Sequence, residues 1–452
     1  MYSEWLLTAP WETVAVRRGD PLGFRTLANR FADMLAPDLS NRTQDARWLT
    51  ILCWCLCVSE RAPWKDPSKR YDPSKRYEWI RPLELLWVAR TLILAPETTG
   101  LQLPGIRAVQ PWVNSGCRTH DFGLSEDQWR RYRQTGVYGA YRVMLRKLPG
   151  LTMNGDGWTP TEKTRTLAEV VENTLGNRES LPKIVGERIR GKARPETYWK
   201  SWWKTWNQSD SPAARSFLPQ SNKQIVALAG EERRLLEEVI FSDTPRGKRR
   251  RRVVKEADKS DAADHAQLCG HIAQALQNEP NAEQLALLPT FTSFADAALD
   301  SLENIWQRFS AEDLSEPTVS LRDAAAYVKI ERSLEKLRLA ADQWLEARNS
   351  YAAAGLSVGA CDELAHNLAT SQRLSAAEMI RCLLGHHTTY GGGLRWMQLQ
   401  DERIVPRVPT RSSRASPYRF RLGPLCRLAV QCGVIDEMPT AFGDAEDVPD
   451  EE

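Results

Sequence analysis

The stretch Arg246-Gly247-Lys248-Arg249-Arg250-Arg251-Arg252-Val253-Val254-Lys255 is the strongest local charge feature of the chain. Consecutive cations repel one another, so they must be solvated or matched by an anion. One reading is a contact to nucleic-acid phosphates through Lys248, Arg249, Arg250, Arg251 and Arg252. The other is a plain interdomain linker, or a nuclear-targeting run if the chain is eukaryotic. A second basic stretch carries Arg411, Arg414, Arg419 and Arg421, and extends the phosphate-contact expectation. A third feature is aromatic: Trp199, Trp202, Trp203 and Trp206 share one helical face. Four indoles on one face read as core or as a partner-binding contact, with a nucleobase platform as the alternative.

Other constellations do not assemble a reaction centre by spacing. Gly186-Glu187-Arg188-Ile189-Arg190-Gly191-Lys192-Ala193 follows phosphate-loop spacing until Ala193 stands where a hydroxyl residue would hold magnesium. Cys53, Cys55 and Cys57 alternate, so on a helix they point to different faces and do not converge on a metal. His386 and His387 are adjacent, without a carboxylate at ligand spacing, and read as a loop or helix end. His120-Asp121 beside Cys117 is a conceivable base pair for a nucleophile. No catalytic residue, cofactor or metal is assigned on these grounds.

The elements that must carry these residues read as helical. Leu22, Phe24, Leu27, Phe31, Met34 and Leu35 recur at helical spacing until Pro37. Leu49 to Val58 and Leu83 to Leu94 are apolar helices, the first with Asn41 or Thr43 as its cap. Between them lies a duplication, Asp66-Pro67-Ser68-Lys69-Arg70-Tyr71 followed by Asp72-Pro73-Ser74-Lys75-Arg76-Tyr77. Each copy reads as a turn, either in a solvent loop or on a single-stranded nucleic-acid surface. Ser125 to Leu148 reads as one helix, with Arg130, Arg131, Arg133, Arg142, Arg146 and Lys147 opposite an aromatic face. Residues 256–355 read as an alanine-rich bundle. Leu394 to Leu399 and Arg403 to Pro406 suggest a hairpin.

The chain has 452 residues, 42% of them hydrophobic, and a net charge of +3, so it can bury sizeable cores and its total charge is uninformative about partners. Nine scattered cysteines suggest free thiols in a reducing, cytoplasmic setting. The longest apolar run, Leu49 to Val58, has ten residues, whereas a membrane span needs about 20, so no membrane partner is expected. Fourteen of the 17 tryptophans precede residue 207, which places a compositional boundary there. The expected division is a Trp-rich helical domain at 1–206, a linker with the basic run at 207–255, an alanine-rich bundle at 256–370, a small module at 371–440 and an acidic disordered tail at 441–452.

The segment Ala36-Pro37-Asp38-Leu39-Ser40-Asn41-Arg42-Thr43, followed by Arg47-Trp48 and Trp54, resembles the start of uncharacterised bacterial proteins encoded in anti-phage defence islands. The resemblance spans residues 36–54 and implies a defence or DNA-processing accessory role without catalytic residues. The expectation is therefore a mainly α, multi-domain protein with a small α+β, winged-helix-like C-terminal module. Its expected role is a non-catalytic nucleic-acid-binding or scaffold subunit of a bacterial multi-protein system. DNA rather than RNA, and other protein subunits, are its expected partners. The alternatives are a nuclease or other toxic effector with a site assembled across domains, and a protein-binding adaptor.

Overall fold

Caps and stop residues set the first helices. The computed structural model describes residues 20–60, 73–94, 104–116, 126–175, 217–219, 225–310, 318–351, 355–369, 374–391, 396–407 and 418–442. Helix α1 (Arg25–Leu35) starts where the Asp20 carboxylate takes the amides of Phe24 and Arg25, at 2.9 and 2.7 Å, and stops before Pro37. Helix α2 (Arg47–Glu60) is buried along nearly its whole length. Its first amide is held by Asp45 Oδ1 at 2.7 Å, not by Asn41 or Thr43. Thr43 instead donates to Ser40 O at 2.6 Å and closes its own turn.

Helix α3 (Pro73–Leu94) changes the meaning of the duplication. Proline suits the first helical position, where its missing N–H has no partner to lose. The second copy is therefore a helix start and not a loop turn. Arg76 is buried and donates to Ser59 Oγ and Leu56 O, both at 2.8 Å, with Glu60 3.7 Å away. Tyr77 is buried with its hydroxyl on Glu84 Oε1 at 2.9 Å. The first copy, 66–71, lies outside the described residues.

The remaining elements, in chain order, are α4 (Ile106–Asn114), α5 (Glu126–Thr135), α6 (Val137–Lys147), α7 (Glu162–Leu175), α8 (Gly230–Ile240), α9 (Pro245–Asp258), α10 (His265–Ala275), α11 (Ala282–Ala286), α12 (Leu288–Ser310), β1 (Val319–Ser320), α13 (Leu321–Ala325), α14 (Val328–Ser350), α15 (Gly359–Leu368), α16 (Ala376–Tyr390), β2 (Met397–Gln400), β3 (Arg403–Pro406) and α17 (Leu422–Gln431). The chain is mainly helical with a small antiparallel sheet near the C-terminus. The single helix expected over 125–148 is two, α5 and α6, parted at Gly136. No described helix is long and apolar enough to cross a membrane.

The chain forms two compact units, each built from separated segments. The first takes residues within 1–34, 260–420 and 440–452. Its centre is α12, which packs on α10 and α14, while α15 and α16 close against α14. Phe24 and Phe31 join this core, with ring centroids 6.0 and 5.3 Å from Phe291. The sheet order is β1-β3-β2, with Ile404 opposite both Val319 and Leu399. Asp401 and Glu402 both have positive φ, 46° and 60°, the two-residue turn whose twist suits a hairpin.

The second unit takes residues within 35–259 and 421–439. Helix α2 packs against α3, α6 and α7, and α8, α9 and α17 follow outward. Trp54 and Trp87 meet edge to face, 6.4 Å apart. Gln431, fully buried, takes the Ala46 amide with its side chain and the Leu228 amide with its carbonyl, each at 2.7 Å. These units replace the contiguous division expected from composition. Residues 245–258, expected within a linker, are helix α9, and residues 421–439, expected in the C-terminal module, complete the second unit.

Candidate nucleic-acid interface

Thr244 starts α9: its side chain accepts the Gly247 amide at 3.2 Å, with Pro245 in the first turn. Only glycine fits at 247, since an added Cβ would lie 2.2 Å from Ser242 O. From there the helix turns about 100° per residue, so the five-cation run covers its whole circumference. The inward face takes Gly247, Arg250, Val253, Val254 and Ala257.

Arg250 is accordingly corrected from phosphate contact to internal strut. It is 1% exposed; its Nε donates to Ile240 O at 2.7 Å, and its Nη1 to Pro37 O and Asp38 Oδ2 at 2.9 and 3.2 Å. Burial lowers its pKa and Asp38 opposes that shift. Arg246 donates to the other oxygen of the same carboxylate. Arg251 is tied as well, to Glu237 Oε1 at 3.0 Å and Phe241 O at 2.9 Å. Asp38 adopts a left-handed φ of 66°, a conformation rare for residues other than glycine.

The outward face differs in its exposure to solvent. Lys248, Arg252, Lys255 and Lys259 are all exposed and fall at i, i+4, i+7 and i+11, one stripe along the helix. Lys259 shares its charge with Glu256 at 3.0 Å. Arg249 is half-buried on the flank. Lys255 and Lys259 join the stripe through helical spacing, a signal hidden while the run is taken for a linker.

Arg419 is half-buried in the first unit, and Arg421 is half-buried at the start of α17 in the second. Arg411 and Arg414 lie outside the described residues, as do Trp199, Trp202, Trp203, Trp206, the phosphate-loop-like 186–193 and His120-Asp121. His386 and His387 end α16 buried. Their rings meet Leu22 O and Pro21 O, each at 2.8 Å, and the Trp396 amide donates to His387 Nε2 at 2.9 Å. Cys53, Cys55 and Cys57 are buried free thiols, and burial pushes all three up, Cys57 to about 12.

Among the described residues the most perturbed carboxyl is Glu84 on α3. Burial pushes it up to about 8, against the pull of hydrogen bonds from the Tyr138 amide at 2.6 Å and the Tyr77 hydroxyl. It is fully enclosed, with 0% exposure, so it meets no solvent-borne substrate and instead links α3 to α6. Among the described residues no group of His, Cys, Asp and Glu side chains is arranged to hold a metal ion. No family model, curated protein or solved structure matches this chain.

Proposed function

We propose that this protein is a non-catalytic, nucleic-acid-binding or scaffold subunit of a bacterial multi-protein system serving defence or DNA processing. DNA is the intended partner rather than RNA, and other subunits dock beside it. The observation that carries the reading is the exposed stripe Lys248, Arg252 and Lys255 on α9, a helix held from behind by Asp38 and Glu237. Cations fixed on a helix grip phosphates through charge and release counterions. The test is titration of the full chain with duplex DNA at several salt concentrations. Lys248→Ala/Arg252→Ala/Lys255→Ala should weaken binding and flatten the log–log salt slope by roughly 0.9 for each phosphate no longer neutralised. Unchanged affinity and slope would reduce α9 to a structural helix.

A second reading concerns α16 and the β2–β3 hairpin. A helix followed in chain order by a hairpin, with β1 added at its edge, supports a winged-helix-like module. The exposed face of α16 offers Glu378, Gly385, Thr389 and an Arg381 paired with Glu402 at 2.8 Å. That face is poor in positive charge, so the phosphate contacts are assigned to α9.

A further inference from the structure

Helices α5 and α6 in the second unit turn another set of cations to solvent. Arg131 and Arg133 on α5, and Arg142, Arg146 and Lys147 on α6, are all exposed. Among the described residues none of the five is paired with a carboxylate, unlike Arg246, Arg250 and Arg251 on α9.

Arg133 lies against one aromatic platform, Arg146 packs beside the Gly157 turn that carries it, and Arg142 stands one helical turn from Arg146 on the exposed face of α6. Tyr138 and Trp158 stack with centroids 4.6 Å apart and planes 20° from parallel. The Arg133 guanidinium lies 5.5 Å over the Trp158 ring and 5.9 Å over Tyr77, close enough for cation–π attraction to fix its position. The Tyr138 phenol has no hydrogen-bond partner among the described residues; burial raises its pKa, and the positive charges of Arg133, Arg146 and Arg142 oppose that shift. A turn delivers Trp158 to this place. Asp156 Oδ1 accepts the amides of Trp158 and Thr159 at 2.7 and 2.9 Å, and Oδ2 accepts the Thr159 hydroxyl at 2.6 Å, so its carboxylate is committed to the loop. Gly157, at φ 79°, leaves room for the Arg146 stem: a Cβ there would come within 2.7 Å of Arg146 Cγ.

The exposure of these parts selects the ligand. Trp158 and Tyr138 are only 8% and 3% exposed, so neither ring face is open to a nucleobase. The rings position the guanidinium groups, and the guanidinium groups face the water. Such an array recognises planar or tetrahedral oxyanions through forked donors. It contacts backbone and leaves bases unread.

We propose that Arg133, Arg142 and Arg146 form a second phosphodiester-binding surface of this protein, gripping the backbone of duplex DNA without sequence preference. It deepens the nucleic-acid reading of the chain and rests on it, but different residues carry it.

The test uses the full chain, a short mixed-sequence DNA duplex and a salt titration followed by fluorescence anisotropy. Arg142→Gln/Arg146→Gln should flatten the salt slope by roughly 2 and weaken unrelated sequences equally. Arg142→Lys/Arg146→Lys, which keeps the charge, should hold the slope. In the unaltered chain, saturating duplex should protect Arg142 and Arg146 from phenylglyoxal. Open modification of both arginines in the saturated complex overturns the proposal even if the glutamine variant fails to fold. An unchanged slope in the glutamine variant, beside a flattened one in the α9 variant, overturns this surface and leaves the α9 reading intact. The reverse pattern supports this surface and removes α9. A full chain that leaves the duplex unbound at low salt overturns both.

Discussion

Helices α9 and α6 are both rich in arginine and lysine, yet they use charge in opposite ways. On α9 the cations are consecutive, so the helical turn forces Arg250 into the interior, where Asp38 and two carbonyls receive it. On α6 they are spaced at Arg142, Arg146 and Lys147, with Met144 and Leu145 filling the inward positions between them. All three cations of the spaced set are exposed, whereas only Lys248 and Arg252 of the five consecutive ones are. A run of like charge overstates what a helix can offer outward, because about 3.6 residues complete a turn.

The sharpest way to break this contrast is Asp38→Ala. It strips the buried Arg250 of its counterion, and an uncompensated buried charge costs about 3–5 kcal/mol. Urea unfolding should register that loss, whereas a change below about 1 kcal/mol would mean that Arg250 escapes to solvent. Arg250→Met should cost less, about 1–2 kcal/mol, because it removes the buried cation while Arg246 stays on the Asp38 carboxylate, so two carbonyls and Asp38 Oδ2 lose a donor but no charge is left wholly unpaired.

The α6 side of the comparison is sharpened by Glu84, which takes the Tyr138 amide from below. Its ordinary value is 4.5 and its folded value about 8, so between those pH values the native state holds a proton that the unfolded chain has released. The stability from this group is complete below about pH 4.5 and is lost as pH rises through about 8, at roughly 1 kcal/mol per pH unit. Glu84→Gln should flatten that dependence in urea unfolding followed from pH 5 to 9. Equal slopes in variant and parent would show that the carboxyl ionises freely. The smallest effect belongs to Arg142→Gln/Arg146→Gln, which should alter stability by no more than about 0.5 kcal/mol. A larger loss would make those arginines structural, as Arg250 is.

Local patterns are legible where one face decides the outcome. The spacing of Leu27, Phe31 and Leu35 and the stop at Pro37 foretell α1, and the turn Gln400-Asp401-Glu402 between two short strand-like runs foretells the hairpin. What escapes depends on distant partners. Nothing near Arg250 announces that Asp38 waits for it. The basic second copy of the duplication looks solvated until Ser59, Leu56 and Glu60 are seen to hold Arg76. The segment 36–43, noticed for its resemblance, turns out to be a tie. Asp38 holds Arg246 and Arg250, Ser40 donates to Ala140 O, and Arg42 donates to Gln134 O. The candidate site is visible in the sequence as charge but not as a face, since its stripe emerges only once the run is known to be helical.

The return of α17 to the second unit bears on how the chain is born. Arg427 donates to Gln44 O at 3.1 Å, and Gln431 closes on Ala46 and Leu228, so residues near the start wait for residues near the end. A ribosome adding about 5–20 residues per second must release the whole of 260–420 before that closure, leaving the nascent second unit unfinished for roughly ten seconds or more. A fragment ending at Lys259 would stay in that unfinished condition, with the apolar side of α9 and its neighbours bare to chaperones.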